Sequence, residues 1–276
     1  MKKLVNLERL KAGLSKAFGD TLKAVDSYLQ KAIFNQEVSE LSQRELKQIL
    51  SNADGELKGL FGVYVAGLKD NWRGLFTHRY HQQFRAKLKE PKSLQAYADK
   101  AMQKPLRFTA NTGISLDEML SKFSDDEAQK ITRAIRLAHH EGLPNSKLIQ
   151  MIRGSKARNY QDGILATTTR NAKTLAHTGT AIIDSQAKQQ FIADHSDLVQ
   201  GIRVLATLDM RTSSICRHLD GEFMPLDKAV YPPYHYNCRS SFEVVYDGYQ
   251  RPKQRASMHG MVENQSYYEW LKGQDN

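Results

Sequence analysis

Apolar residues in the first third of the chain recur in steps of three and four. Leu4, Leu7, Leu10, Leu14, Phe18, Leu22, Val25, Leu29 and Ile33 fall on one stripe of a helix with 3.6 residues per turn. The stripe persists over several heptads, so this helix requires a partner helix, from the same chain or from another subunit. Ser42 and Glu45 have the Ser-x-x-Glu spacing of a capping box and open a second helix. A third amphipathic stretch carries Leu57, Leu60, Phe61, Tyr64 and Leu68, and runs on through Trp72, Leu75, Phe76, Tyr80 and Phe84. Pro91 and Pro105 punctuate a region of weaker pattern. Ser124 and Glu127 repeat the capping-box spacing and predict a helix start, with Ile131, Ile135 and Ala138 on its inner face. Gly142 and Pro144 stop it. A short helix with Leu148, Ile149 and Ile152 runs to Gly154, and a long one covers 162 to about 193, with Arg170, Leu175, His177, Ile182 and Ile183.

The period changes after Asp197. Residues 201–208 and 241–246 are β-branched and alternating, and are expected to pair as strands of one small sheet with an elaborated connection between them. Beyond Asp247-Gly248 lie a basic linker with Arg251, Lys253 and Arg255, then a short terminal helix at Tyr267-Tyr268-Glu269-Trp270-Leu271. The pattern predicts a mainly α protein with a small α+β C-terminal domain and an elongated helical N-terminal region. The expected divisions are a basic helical docking region at 1–104, a helical part at 105–200, a β-containing lobe at 201–248, and the linker with its helix at 249–276. The mean hydropathy of -0.57 agrees with much exposed surface.

Charge adds a candidate partner. Of the net +10, residues 1–104 supply most, with 19 Lys and Arg against 11 Asp and Glu, whereas 201–276 balance at 9 and 9. Such an excess suits either a polyanionic partner such as double-stranded DNA, bound without sequence preference, or a solvated helix face. Arg73, Arg79 and Arg85, interleaved with aromatics, are the candidate nucleic-acid contacts. Aromatics at helical spacing also read as core, and that is the expectation for Trp72, Phe76 and Tyr80. No apolar run approaches the roughly 20 residues of a membrane span, and Met1-Lys2-Lys3 has no apolar segment behind it, so neither a span nor secretion is expected.

Candidate chemistry is concentrated in residues 205–241. Both cysteines of the chain lie there, and His235-x-x-Cys238 has metal-ligand spacing. Cys216, His235 and Cys238 supply three ligands for a zinc ion, with His218 or Asp220 as the fourth. Two alternatives stand beside that reading. One is a pair of buried thiols with a hydrogen-bonded histidine, and the other is a disulfide between the cysteines once a particle has left the reducing cytoplasm. Asp209 and Arg211 are placed to form a local ion pair, Asp220-Gly221 has turn composition, and Arg239 is placed to anchor the loop on Asp209 or Asp220. These residues read as a structural clasp.

The order Thr207-Leu208-Asp209-x-Arg211-Thr212-Ser213-x-x-Cys216-Arg217-x-Leu219-Asp220-Gly221, then Pro232-Pro233-x-His235-x-Asn237-Cys238-Arg239-Ser240, resembles the signature of the phage Mu F-like minor head proteins, the phage head morphogenesis family. The resemblance extends with decreasing strength over roughly 105–272. It implies a structural protein of the tailed-phage virion, a minor capsid protein without enzymatic activity. Such a protein associates with the portal and with other capsid or scaffold proteins, in the host cytoplasm during assembly and then in the head. It acts in head assembly and in DNA packaging or delivery. Many relatives carry cysteine where this chain has Ser213 and Ser240, which here thins the thiol set. Little chain follows the signature, so no fused enzyme domain is expected. The competing readings are a metal-dependent nuclease and a phage-encoded DNA-binding protein. Against the first, His235-x-Asn237 resembles a nuclease loop only in part, the next histidine being His259, and no Gly-rich phosphate loop is present. Against the second, no helix-turn-helix or complete zinc finger can be assigned.

Overall fold

In the computed structural model, residues 2–83, 94–106 and 113–274 are described, with side chains from residue 7 onward. Leu4's side chain, Phe84, Arg85 and Pro91 therefore lie outside the described residues. Eight α-helices are found among the described residues: α1 Lys2–Ala32, α2 Gln43–His81, α3 Leu94–Gln103, α4 Leu116–His140, α5 Asn145–Arg153, α6 Ile164–Asp194, α7 Ser214–Leu219 and α8 Tyr267–Lys272. The strands are β1 Val199–Leu205, β2 Phe223–Pro225, β3 Ser241–Tyr246, β4 Gln254–Ser257 and β5 Gly260–Glu263. The chain is mainly α with a small α+β C-terminal part.

Contacts divide it into two units of interleaved segments. The first comprises Leu10–Asp70 and Asp117–Ala176. Its core is helix on helix, and the partners that the α1 stripe requires come from the same chain. Phe18 of α1 stacks near Phe61 of α2 at a centroid distance of 6.3 Å and meets Tyr64 of α2 and Phe123 of α4 edge-on at 4.9 and 6.1 Å, arrangements that aromatic quadrupoles favour. Leu29, Ile33, Leu57, Ile131, Ile135, Leu148 and Ile152 are fully buried around them. Arg153 of α5 grips Asp26 of α1 through two N–H groups at 2.6 and 2.9 Å, with its guanidinium over the Phe34 ring.

The two capping boxes part company. Ser42 and Glu45 close theirs, each side chain serving the other's backbone N–H, and α2 then runs unbroken through what reads in sequence as two helices. Ser124 opens nothing, because α4 is already under way from Leu116. Leu116, Leu120 and Phe123 are buried on the same stripe as Ile131, so the helix continues through the serine. Glu127 is instead a buried acceptor for Thr168 and Asn171 of α6, each at 2.7 Å, and for Lys130 at 2.6 Å.

The second unit comprises Met1–Arg9, Asn71–Leu116 and His177–Asn276. Its sheet has the order β2-β1-β3, all antiparallel, with Ile202 opposite Val244 on one side and Met224 on the other. The expected pairing of the two alternating segments is present, with β2 as an added edge. Ile202, Val204, Phe242 and Val244 are buried, and Tyr80, Phe191 and Ile192 join them in the core. Trp72 donates to Thr180 Oγ1 at 3.1 Å and covers Gly179, where a Cβ would lie 2.2 Å from the indole ring. Trp72, Phe76 and Tyr80 are core, as their spacing predicts. The stretch expected to be a basic linker instead includes the β4–β5 hairpin, turned at Met258-His259, with Gly260 at φ of 112° opening β5.

Charge is buried in this unit. Asp184 of α6 forms ion pairs with Arg79 of α2 at 2.6 Å and with Lys188 at 3.1 Å, and Lys188 donates to Ser241 Oγ at 2.5 Å and to the Phe242 carbonyl at 3.0 Å. Arg79 thus serves as an internal counter-charge, with a side chain only 6% exposed, and the expectation that it contacts nucleic acid is corrected. Arg73, which pairs with Asp99 at 2.8 Å, keeps partial exposure. The two cations hold the Asp184 carboxyl below its usual range, although burial opposes them. Asp184→Ala leaves two buried cations without their carboxylate. We expect a loss of about 3–5 kcal/mol in denaturant unfolding, and a loss below about 1 kcal/mol would contradict this role.

Candidate functional site

The connection between β1 and β3 folds back on its own side chains. Asp209, just past β1, accepts from both Nη atoms of Arg239, the Nη2 contact being 2.7 Å, and from Thr212 Oγ1 and the Arg211 backbone N–H at 3.1 and 3.0 Å. The anchor for Arg239 is therefore Asp209. Arg211 adds little through its side chain, which is 85% exposed and 3.8 Å from the carboxylate. Asp220 ends α7 and is fully buried at its side chain. It accepts from the Ala206 N–H at 2.7 Å and from both Nη atoms of Arg255 at 2.9 and 3.0 Å. Gly221 follows with φ of 84°, as a turn glycine should.

Between these clasps sits the Cys/His centre. Ser213 caps α7, and its hydroxyl accepts from the Cys216 N–H. That places Cys216 on the inner face of the first turn, 2% exposed. The other half comes from a tight turn. The Cys238 N–H donates to the His235 carbonyl at 3.2 Å, and Asn237 sits at φ of 56°, a left-handed position that asparagine tolerates. The Asn237 N–H is held by Thr178 of α6 at 2.9 Å. The ring and the thiol of His235-x-x-Cys238 thereby face Cys216. His235 Nε2 is 3.3 Å from Cys216 Sγ and 2.8 Å from Ser213 Oγ, and the two sulfurs are 3.7 Å apart. Both thiols are free. The hydrogen bond between them pulls the Cys238 pKa down, helped by backbone N–H groups, and pushes that of Cys216 up.

Three of the residues singled out in sequence, Cys216, His235 and Cys238, are thus brought together. His218 is exposed and stands outside the cluster. Asp220 spends its carboxylate on Arg255 and Ala206, so neither expected fourth ligand faces the thiols. Sequence reasoning missed Arg255, hidden in a run of basic residues. It also missed Tyr267, which donates to the Asp209 carbonyl at 2.9 Å and lies under the Arg217 guanidinium, and Trp270, packed with Leu208.

The clasp and its supporting helix can be set against known proteins. Residues 129–243 match the family model for phage Mu protein F like protein. The Mu F-like segment begins inside α4, takes in α5, α6 and the sheet, and ends within β3. It contains Asp209, Cys216, Asp220, His235, Cys238 and Arg239, and stops short of Arg255 and Tyr267. The family fits a phage head morphogenesis protein, which supports the resemblance seen in the signature. No curated protein and no solved structure matches the chain. No helix of the described residues is long and apolar enough to cross a membrane.

Two consequences for stability follow. Arg255→Met leaves Asp220 buried without its guanidinium and should cost about 3–5 kcal/mol by urea unfolding, more than replacement of the exposed Arg251 just before the hairpin. Arg239 holds the Asp209 carboxyl below its usual range. A carboxylate with a depressed folded pKa adds stability above its unfolded value, about 3.9, and loses it as pH falls through the folded value. The melting-temperature gap between the parent and Asp209→Asn should therefore be widest near neutrality and close towards pH 3. A gap independent of pH would contradict the assignment.

Proposed function

We propose that this chain is a minor head protein of a tailed phage, one that joins the portal-bearing procapsid and acts in head assembly and in DNA packaging or delivery. The observation that carries the reading is the Mu F-like match at 129–243, which takes in the whole strand connection with its clasp. The role is structural. Cys216 and Cys238 are 2% and 0% exposed, which leaves no approach for a substrate to either thiol. The acidic side chains around them are neutralised by arginines rather than poised as acids or bases.

DNA contact in that role falls to exposed cations. In the α2–α4 unit a groove of about 900 Å³ is lined by Lys47, Arg133, Arg136, His139 and His140, with Asp54 as its acidic member. Arg133 and Arg136 are exposed on successive turns of α4. They are better placed for phosphates than the buried Arg79. The groove matches a sequence-independent contact, with affinity set by phosphate charge and falling steeply with salt.

The experiment is co-sedimentation of the purified full-length chain with cognate procapsids that contain or lack the portal. Binding that requires the portal supports the reading, and equal partition with both particles or neither overturns it. For DNA, Arg133→Glu with Arg136→Glu should lower the slope of log affinity against log salt by roughly 2. An unchanged slope removes the groove from the account.

A further inference from the structure

The Cys/His centre has the dimensions of a metal site. A tetrahedral zinc ion with Zn–S near 2.3 Å and Zn–N near 2.0 Å sets its two sulfurs about 3.8 Å apart, and each sulfur about 3.5 Å from the nitrogen. The corresponding edges here are 3.7 Å between Cys216 Sγ and Cys238 Sγ and 3.3 Å between Cys216 Sγ and His235 Nε2, and all three donor atoms lie within 4.8 Å of one another. The histidine is oriented for the task. His235 Nδ1 is 2.8 Å from the Tyr236 carbonyl, and that acceptor requires the proton on Nδ1. The Nε2 lone pair then faces Cys216 Sγ and the Ser213 hydroxyl, which a metal ion would displace from it, and the fixing of the other nitrogen by a carbonyl is typical of a ligating imidazole. A second observation comes from Ser240. Its Oγ is buried, lies against the Cys216 thiol and makes no well-formed hydrogen bond, at the same centre as Cys238. A buried hydroxyl without such a bond is costly, and a water on a metal ion would supply one.

We propose that Cys216 Sγ, Cys238 Sγ and His235 Nε2 bind one zinc ion, with a water completing the tetrahedron on the side of the Ser213 and Ser240 hydroxyls. Two thiolates and an imidazole select a borderline-soft ion over magnesium or calcium, which require oxygen donors. Binding displaces the protons of both thiols to solvent. The bound ion ties α7 to the His235–Cys238 turn and so cross-links the two halves of the strand connection. The inference is independent of the head-protein reading, because it rests on donor geometry alone.

The test uses the full-length protein, purified under reducing conditions, stripped with a chelator, and titrated with Co²⁺ and then Zn²⁺. The expected result is about one equivalent of cobalt, with a thiolate-to-cobalt charge-transfer band and the visible bands of a tetrahedral ion, both bleached by zinc. Cys216→Ser and Cys238→Ser should each weaken the charge-transfer band. Because such variants can also fail to fold, a gain-of-ligand variant is the decisive arm: Ser240→Cys adds a thiolate at the open corner and should tighten cobalt binding by about tenfold or more, within the range that changes around a metal site produce. Cobalt bound without a thiolate band, no saturable uptake by protein whose circular dichroism shows it folded, or unchanged affinity in Ser240→Cys would each overturn the proposal.

Discussion

The grip of Arg239 on Asp209 is the contact on which the strand connection depends. The 35 residues between β1 and β3 contain only a short helix, a three-residue strand and a single 3-10 turn. A connection of that length holds no shape through its backbone alone. Asp209 stands at its beginning and Arg239 at its end, so one paired contact, charge-assisted at both oxygens, closes it. Cys238 precedes Arg239 directly, and Thr212 and Ser213 follow from the turn that Asp209 organises. The same closure therefore brings the His235–Cys238 turn to the first turn of α7. Asp220 with Arg255 repeats the device and fastens the β4–β5 hairpin to the end of β1.

The clasp is built on a helix. Thr178 of α6 holds the Asn237 backbone, and two turns further on Asp184 and Lys188 bind Ser241 at the start of β3. Both ends of the His/Cys turn are thus referenced to α6. Such buried charges contribute little net stability in general, since desolvation offsets most of their attraction. Their geometric demand is strict, however, and a misplaced β3 would leave Lys188 without its Ser241 and Phe242 acceptors. This accounts for the regular β1–β3 register from Gly201 to Leu205, past the irregularity between Val199 and Gly201.

The helices were largely legible in the sequence, because burial on one face leaves a period of 3.6. The stripe of α1, the stop at Gly142 and Pro144, and the two pairing strands were read correctly. What escaped depends on partners distant in the chain. Ser124 and Glu127 have capping-box spacing, yet that spacing also occurs inside any helix. Only the upstream run of Leu116, Leu120 and Phe123 tells the two apart. Arg79 reads as a surface cation until Asp184, more than a hundred residues away, is seen to bury it. Arg255 was read as linker because β4 spans four residues of polar character, too few to show alternation. At the centre itself, the His-x-x-Cys spacing was visible. The left-handed Asn237 and the cap from Ser213, which convert spacing into geometry, require the fold.

Closed in this way, the connection within the segment that matches the phage Mu F-like model is a rigid element rather than a loose loop. Hydrogen–deuterium exchange of the full-length protein tests that most directly. The account predicts that amides in 206–221 and 234–240 exchange nearly as slowly as those of β1 and β3, and that Arg239→Met speeds exchange in this connection while the α1–α2 core stays protected. Fast exchange throughout 206–240 in the parent protein, with β1 and β3 protected, would contradict it.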